Sequence, residues 1–151
     1  MGRNSGGVRG SGTQGNSIEE RAAVKIRGIL ADIETKGFSR QQPFSIGKVE
    51  QRMKDYAKEH NITLGSDDVY MSASSISHAT RDFKKNIGKA VTNEELENFP
   101  TNRHNMEMKY LNGAFIFSDQ NAEYVVKPNY ELKINRKNAR HVVFITATRK
   151  K

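Results

Sequence analysis

The spacing of apolar residues changes at Pro100, and this change constrains the fold more than any other feature of the sequence. Before Pro100, apolar residues recur every three or four positions, which is the spacing of amphipathic helices. After it, β-branched and aromatic residues follow a period of two, which is typical of strands. Helices first and strands second predict an α+β fold in which the helices pack on one face of a sheet.

A capping box at Ser17 and Glu20 predicts the start of the first helix. Its apolar stripe ends near Gly37, a residue suited to the left-handed conformation that follows many helices. Residues 38–45 are expected to form a connector, because the segment contains a proline that disfavours helix at the preceding position. A second amphipathic helix is expected over about Ile46–His60.

The next segment predicts a central helix that ends at Gly88, with Ser72 or Ser74 as its capping residue. A second capping box, Thr92-Asn93-Glu94-Glu95, opens a short helix that we expect Pro100 to end.

Five strand segments are predicted after Pro100, separated by residues that favour turns. Connections this short join antiparallel neighbours, so the segments are expected to form a meander of four to five strands. The strands are Met106–Tyr110, Ala114–Phe117, Ala122–Lys127, Tyr130–Ile134 and Arg140–Thr148, and the turns are Asn112-Gly113, Ser118–Asn121, Pro128-Asn129 and Asn135–Asn138.

The formal net charge of +8 makes polyanions the natural partners of the chain. The absence of cysteine excludes disulfides, thiolate nucleophiles and zinc sites built on thiolates. No apolar run approaches the roughly 18 residues of a membrane span. The histidines outside the central helix lack the spacing of metal ligands, so we expect no metal site. We also expect no other cofactor. Because no apolar run is long enough to span a membrane, we expect no membrane partner.

The composition divides the chain into three parts. Residues 1–16 contain six glycines and no acidic residue, and they lack the hydrophobic region of a signal peptide. Such a segment buries too little apolar surface to become ordered, so it is expected to be a flexible leader or linker. A helical N-terminal region (17–64) and an α+β domain (65–151) follow.

The central helix carries the first candidate site. His78, Arg81 and Lys85 fall on one helical face at positions i, i+3 and i+7. An imidazole can take and return a proton near neutral pH, and two cations can stabilise the charge of a phosphorane-like transition state. A solvated face on which His78 pairs with Asp82 fits the same spacing, so both interpretations stay open.

The predicted strands carry further candidates. Lys127 and Asn129 alternate onto one strand face, where an ammonium and an amide can hold a phosphate and a ribose hydroxyl. Lys133 lies on the same face if the strand register continues unchanged past the intervening proline. Thr146 and Thr148 end the last strand, where a hydroxyl can donate to a phosphate. An exposed sheet face accounts for the same patterns.

Several segments together resemble the nuclease domains that follow phage head-morphogenesis proteins of the MuF type. These are phage-associated members of the barnase–EndoU–colicin–RelE-like ribonuclease superfamily. The resemblance covers roughly residues 66–149 and is carried by Ile76–Asp82 (ISHATRD), Gly88-Lys89-Ala90, Leu96 to Pro100 and Val126–Lys133 (VKPNYELK).

The resemblance implies a barnase/EndoU/RelE-like fold and metal-independent, toxin-type cleavage of RNA through attack of the 2′-OH. It implies RNA, an immunity or antitoxin protein, and phage head or portal proteins as partners, in the bacterial cytoplasm or the phage virion. The catalytic residues it points to are His78, Arg81, Asn129, Tyr130, Lys133 and Thr146, and the expected RNA contacts are Lys85, Lys127, Arg140, Thr148 and Arg149.

Two alternatives stay open at this point. One is a nucleic-acid-binding module without catalysis, which the charge of +8 motivates. The other is a structural module of a phage head, with the two N-terminal helices as its partner surface. The nuclease hypothesis makes a geometric prediction that separates it from both, because His78, Arg81, Asn129 and Lys133 must converge on one anion-sized hollow.

Overall fold

A six-stranded sheet and four α-helices make up the part of the chain that the computed structural model describes, which is residues 17–80, 87–88 and 90–150. The α+β class predicted from the sequence is confirmed. The helices are α1 (Ile18–Lys36), α2 (Gln51–Glu59), α3 (Ala73–Thr80) and α4 (Asn93–Asn102), with a 3₁₀ turn over Arg103–Asn105; the strands are β1 (Phe44–Lys48), β2 (Asp68–Met71), β3 (Glu107–Leu111), β4 (Ala114–Ser118), β5 (Ala122–Ile134) and β6 (Lys137–Arg149).

The order of strands across the sheet is β1-β2-β6-β5-β4-β3. Strands β3 to β6 form the antiparallel meander predicted from the sequence. The sheet is nevertheless larger than predicted and mixed, because β1 and β2 extend it and β2 runs parallel to β6. Val69 lies beside Val142 in this parallel pair, which joins parts of the chain far apart in sequence.

The segment Phe44–Lys48 is a strand, so the predicted connector is confirmed over 38–43 but ends two residues early, and the predicted helix start at Ile46 is wrong. Phe44 and Ile46 are buried on the same face of β1, which is the period of two expected for a strand. Five residues are too few for their period to be distinguished from a helical one. The second helix begins at Gln51 instead.

Pro128-Asn129 is a bulge inside β5, and the prediction of a turn between two strands is wrong. Lys127 pairs with Val143 and Tyr130 pairs with His141, so two residues of β5 lie opposite one residue of β6. A bulge tolerates proline because its missing N–H is not needed in the ladder there.

The loop that precedes β2 holds this bulge in place. Ser66 Oγ accepts a hydrogen bond from the Val142 N–H at 2.9 Å, and the Gly65 N–H donates to the Pro128 carbonyl at 2.8 Å. A Cβ atom on Gly65 would lie 2.6 Å from the His141 backbone nitrogen, so the loop can approach β6 this closely only with glycine there.

The two helix starts predicted from capping boxes are confirmed. The hydroxyl of Ser17 accepts the Glu20 N–H at 3.1 Å, and the hydroxyl of Thr92 accepts the Glu95 N–H at 3.0 Å. Gly37 ends α1 in the left-handed conformation with φ of +86°, as expected.

The helix α4 continues to Asn102, so the prediction that Pro100 ends it is wrong. The carbonyl of Pro100 accepts a hydrogen bond from Arg103 Nε at 3.0 Å, which ties the end of α4 to the 3₁₀ turn. The predicted end of the central helix at Gly88 cannot be compared directly, since residues 81–86 lie outside the described residues.

One hydrophobic core lies between the helices and the inner face of the sheet. Residues on both sides of the predicted boundary at position 64 contribute to this core. Ile26 of α1 and Met53 of α2 come from before the boundary, and Phe99 and Tyr124 come from after it. Phe99 of α4 stacks on Tyr124 of β5 with ring centroids 4.4 Å apart. Among the described helices, none has the length and apolar character needed to cross a membrane.

Candidate nucleic-acid interface around His78

The helix α3 follows β2 after a single residue and packs beside β6 and α1. Ile76 and Ala79 are fully buried in the core, which leaves His78 exposed on another side of the helix, as the helical period predicts. The hydroxyl of Ser72 accepts the Ser75 N–H at 3.1 Å and thereby caps the helix.

His78 lines a depression of about 300 Å³ between the start of α3 and the outer face of the sheet, which is the face opposite the core. The helix and its capping residue Ser72 supply three serine hydroxyls and the imidazole, whereas the sheet supplies one phenol and an apolar floor. The lining residues are Ser72, Ser74, Ser75, His78, Tyr130, Leu132, Val143 and Ile145.

Tyr130 joins this depression because of the bulge in β5. Lys127 and Tyr130 are three positions apart, and in a regular strand their side chains would point to opposite faces. The bulge removes this difference, since their partners Val143 and His141 are two positions apart on β6 and share a face. Lys127 Nζ accordingly lies 5.5 Å from the centroid of the Tyr130 ring, a cation–π distance.

Asn129 lies inside the bulge, next to Tyr130. Its Oδ1 atom is buried and has no hydrogen-bond partner among the described residues. A buried acceptor without a partner costs stability, and an oxygen this deeply buried does not face the depression.

Lys133 and Arg140 lie beyond the bulge, on the hairpin formed by β5 and β6. Lys133 follows Leu132, which lines the depression, so the alternation along the strand directs Lys133 to the opposite face. Arg140 pairs with Glu131 across the strands and shares that opposite face. Both side chains are exposed, and neither lines the depression with His78.

Thr146 and Thr148 lie further along β6, past Ile145, and neither is among the residues that line the depression. Arg149 belongs to a different surface, because its Nη1 atom donates to Glu95 Oε1 of α4 at 2.7 Å.

Arg81 and Lys85 lie outside the described residues, so their positions on the central helix stay predictions. Of the residues that the nuclease hypothesis groups together, His78 and Tyr130 line one depression and Asn129 adjoins it. Lys133 is directed to the opposite face of the sheet, so the prediction that it converges with His78 on one hollow is wrong.

Two residues that adjoin the candidate site residues were not predicted from the sequence. His141 lies directly opposite Tyr130 on β6, and its ring contacts Tyr70 with centroids 4.6 Å apart. Only the non-local strand pairing brings it there. Phe38 follows the glycine that ends α1 and is 49% exposed. The one sequence signal for Phe38 was that it is an aromatic residue followed by four polar residues.

Phe38 and His78 line a second depression, of about 410 Å³, between the loop after α1 and the helix α3. The lining residues are Phe38, Ser39, Ala73, Ser74, Ser77 and His78. His78 therefore borders two depressions, one on the side of the loop and one on the side of the sheet.

A separate group of charges joins α1, the start of α2 and the 3₁₀ turn. Arg103 is 1% exposed, with Nη1 3.4 Å from Glu50 Oε2 and Nη2 3.5 Å from Glu19 Oε2. Burial lowers the pKa of Arg103, and the two carboxylates oppose that shift. Because Arg103 connects three elements from inside the fold, we assign this group to stability.

Within residues 17–80, 87–88 and 90–150, no group of three or more His, Asp or Glu side chains is arranged to hold a metal ion. No protein-family model, curated protein or solved structure matches the chain.

Proposed function

We propose that the chain is a metal-independent ribonuclease domain of phage or mobile-element origin, with a toxin-type role. The observation that carries the proposal is that His78 and Tyr130 line one depression. They belong to the two segments, ISHATRD and VKPNYELK, that carry the resemblance to phage-associated barnase–EndoU–colicin–RelE-like nucleases. A shared depression is what a common site requires of residues so far apart in the sequence.

The proposed reaction moves two protons and exchanges one bond at phosphorus. A base takes the proton of the ribose 2′-OH, and O2′ attacks the adjacent phosphorus. The bond from phosphorus to O5′ breaks while an acid gives O5′ a proton, which leaves a 2′,3′-cyclic phosphate and a free 5′-OH. His78 is one of the two proton carriers, because its imidazole is exposed to the depression where RNA would bind.

The second proton carrier comes from the sheet side of the depression. Tyr130 supplies a phenol, and His141 lies directly opposite it on β6. The Nδ1 atom of His141 is 3.1 Å from the Ala139 carbonyl, which favours a proton on Nδ1 and leaves Nε2 as an acceptor. His141 is thus a candidate that the sequence alone did not single out.

Cations and the Asn129 amide hold the phosphate and the ribose in this proposal. Lys127 lies beside the Tyr130 ring, and Asn129 precedes Tyr130 in the bulge. Arg81 and Lys85 of the predicted central helix add charge that stabilises the phosphorane-like transition state. RNA is then the substrate, and an immunity or antitoxin protein and phage head or portal proteins are the proposed partners, in the bacterial cytoplasm or the virion.

A nucleic-acid-binding module without catalysis is the second candidate, and the tip of the β5–β6 hairpin favours it. Four exposed cations lie on this tip, namely Lys133, Arg136, Lys137 and Arg140. They can neutralise phosphates without taking part in a reaction.

The test is to incubate the purified chain with tRNA and with total RNA in the presence of EDTA. We expect cleavage by the wild type, loss of cleavage in His78→Ala, and wild-type cleavage by His60→Ala. His60 is a matched control because it is an exposed histidine at the end of α2 and lines neither depression with His78.

Two other outcomes would contradict the nuclease function, and a third would contradict the role of His78. Intact RNA together with salt-dependent binding would favour the binding module. Intact RNA, no binding and a defined oligomer would favour a structural module of a phage head. Cleavage that persists in His78→Ala would exclude the proposed role of the imidazole.

A further inference from the structure

Five large apolar or aromatic side chains are exposed among the described residues: Val24, Phe38, Ile87, Leu111 and Tyr130. Single exposed apolar residues are common on protein surfaces and need no explanation. The two aromatic members of this set are different, because each lines a depression that also contains His78. Phe38 is 49% exposed and Tyr130 is 41% exposed, so both rings present a large area to solvent.

The two depressions are separated by one edge of α3. Ser74 and His78, one helical turn apart, line both of them and form the ridge between them. Phe38 lies on one side of this ridge and Tyr130 on the other. The imidazole is thus flanked by two exposed rings that come from different parts of the fold.

Each ring also has a cation close to it. Arg40 Cζ lies 5.1 Å from the centroid of Phe38, and Lys127 Nζ lies 5.5 Å from the centroid of Tyr130. A cation near one face of a ring leaves the other face for a second flat group. The same cations can neutralise the phosphates that join two successive nucleotides.

We propose that Phe38 and Tyr130 are two base-stacking subsites for single-stranded RNA, with the phosphate between the two stacked bases at His78. This inference rests on the proposed ribonuclease function and adds the class of its substrate. Bases must be unpaired and splayed apart to stack on separated side chains, whereas the bases of a duplex are already stacked on each other. Stacking on aromatic rings is tolerant of sequence, so little base preference is expected from these two contacts.

Charge and polarity favour an RNA strand over an apolar protein partner at these rings. Serine hydroxyls line both depressions, and a cation stands beside each ring. Together with the net charge of +8, this lining suits a polyanion that carries flat bases.

The test uses a short RNA in which every ribose is 2′-O-methylated. Such a probe cannot be cut by 2′-OH attack, so its binding to the full chain is measured separately from cleavage, by fluorescence anisotropy. Phe38→Ala and Tyr130→Ala are each expected to weaken binding by about 5- to 150-fold, the loss that one stacked base causes. Phe38→Trp is expected to retain binding, because it keeps a stacking surface.

Leu111→Ala is the matched control, since Leu111 is 52% exposed on β3 and lines neither depression. It is expected to bind as the wild type does, and a fully paired version of the probe is expected to bind more weakly. A second series replaces one base of the probe with an abasic nucleotide. When the missing base is the one that stacks on Phe38, Phe38→Ala should no longer weaken binding, whereas Tyr130→Ala should still do so. The reverse is expected when the missing base is the one that stacks on Tyr130.

Wild-type affinity in both Phe38→Ala and Tyr130→Ala would overturn the proposal. This failure is distinguishable from failure of the nuclease function. Cleavage of RNA with unchanged binding in both variants would refute only the subsites. Binding that depends on both rings, with unmodified RNA left intact, would refute only the cleavage.

Discussion

At the scale of single residues, two charged side chains approach Gly47 on β1 closely. A Cβ atom at this position would lie 2.5 Å from Arg103 Nη2 and 2.6 Å from Glu19 Oε2. Gly47 also has φ of +130°, a conformation that residues with a side chain rarely adopt. The absence of a side chain at Gly47 therefore gives the buried Arg103 guanidinium its space.

We expect Gly47→Ala to lower the free energy of unfolding by about 2 kcal/mol or more, because it combines backbone strain with displacement of a buried ion pair. Gly28→Ala is the matched control. Gly28 is exposed in the middle of α1 with nothing within 4 Å of a new Cβ, and alanine favours helix over glycine by about 0.8–1.0 kcal/mol.

Urea denaturation of the two variants gives the comparison. The control is expected to be more stable than the wild type, and Gly47→Ala less stable. Equal stabilities would mean that the surroundings of Arg103 tolerate a methyl group, in contradiction to this account.

At the scale of elements, the bulge in β5 is the feature that builds the candidate site. It brings Lys127 and Tyr130 to one face, and the loop before β2 supports it through Ser66 and Gly65. The site thus depends on a loop that contributes no lining residue to either depression around His78.

Ser66→Ala is expected to weaken the bulge, because the Val142 N–H loses its acceptor at a cost of about 1–3 kcal/mol. Two measurements should change together: faster hydrogen exchange of the Val142 amide and slower RNA cleavage. Thr63→Ala, an exposed position in the same loop, should leave both unchanged. An unchanged exchange rate in Ser66→Ala would show that this hydrogen bond does not support the bulge.

The elements that could be predicted from the sequence are those with a local signal. Capping residues located the starts of α1 and α4, and the Asn112-Gly113 turn joins β3 to β4 as its composition predicts. Three features had no such signal. The strand β1 is too short for its period to be read, the bulge at Pro128 resembles a turn in composition, and the pairing of β2 with β6 is non-local.

The candidate site also has features that a local sequence pattern predicts and features that it does not. Exposure of His78 follows from the helical period of α3, which buries Ile76 and Ala79. The approach of Tyr130 to His78 was implied only by the resemblance to a nuclease family, since no local pattern relates the two segments. Phe38 and His141 could not be predicted, because only the fold brings Phe38 to the depression beside His78 and pairs His141 with Tyr130.

At the scale of the whole molecule, the positive charge and the site act together in this account. The proposed function requires attraction of RNA, which the net charge of +8 would provide, and the four cations on the tip of the β5–β6 hairpin would extend the contact beyond the two depressions. Attraction of this kind is independent of sequence, so the choice of the cleaved bond depends on the groups around His78.

The chemical structure of the RNA ends is the most direct test of RNA cleavage by 2′-OH attack at His78. A pool of random-sequence RNA and a matched 2′-O-methyl pool are incubated with the wild type and with His78→Ala in EDTA, and the products are analysed by mass spectrometry. We expect 2′,3′-cyclic phosphate and 5′-OH ends from the wild type on unmodified RNA, and from no other combination. Cleavage of the 2′-O-methyl pool, equal cleavage by His78→Ala, or intact RNA with the wild type would contradict the account.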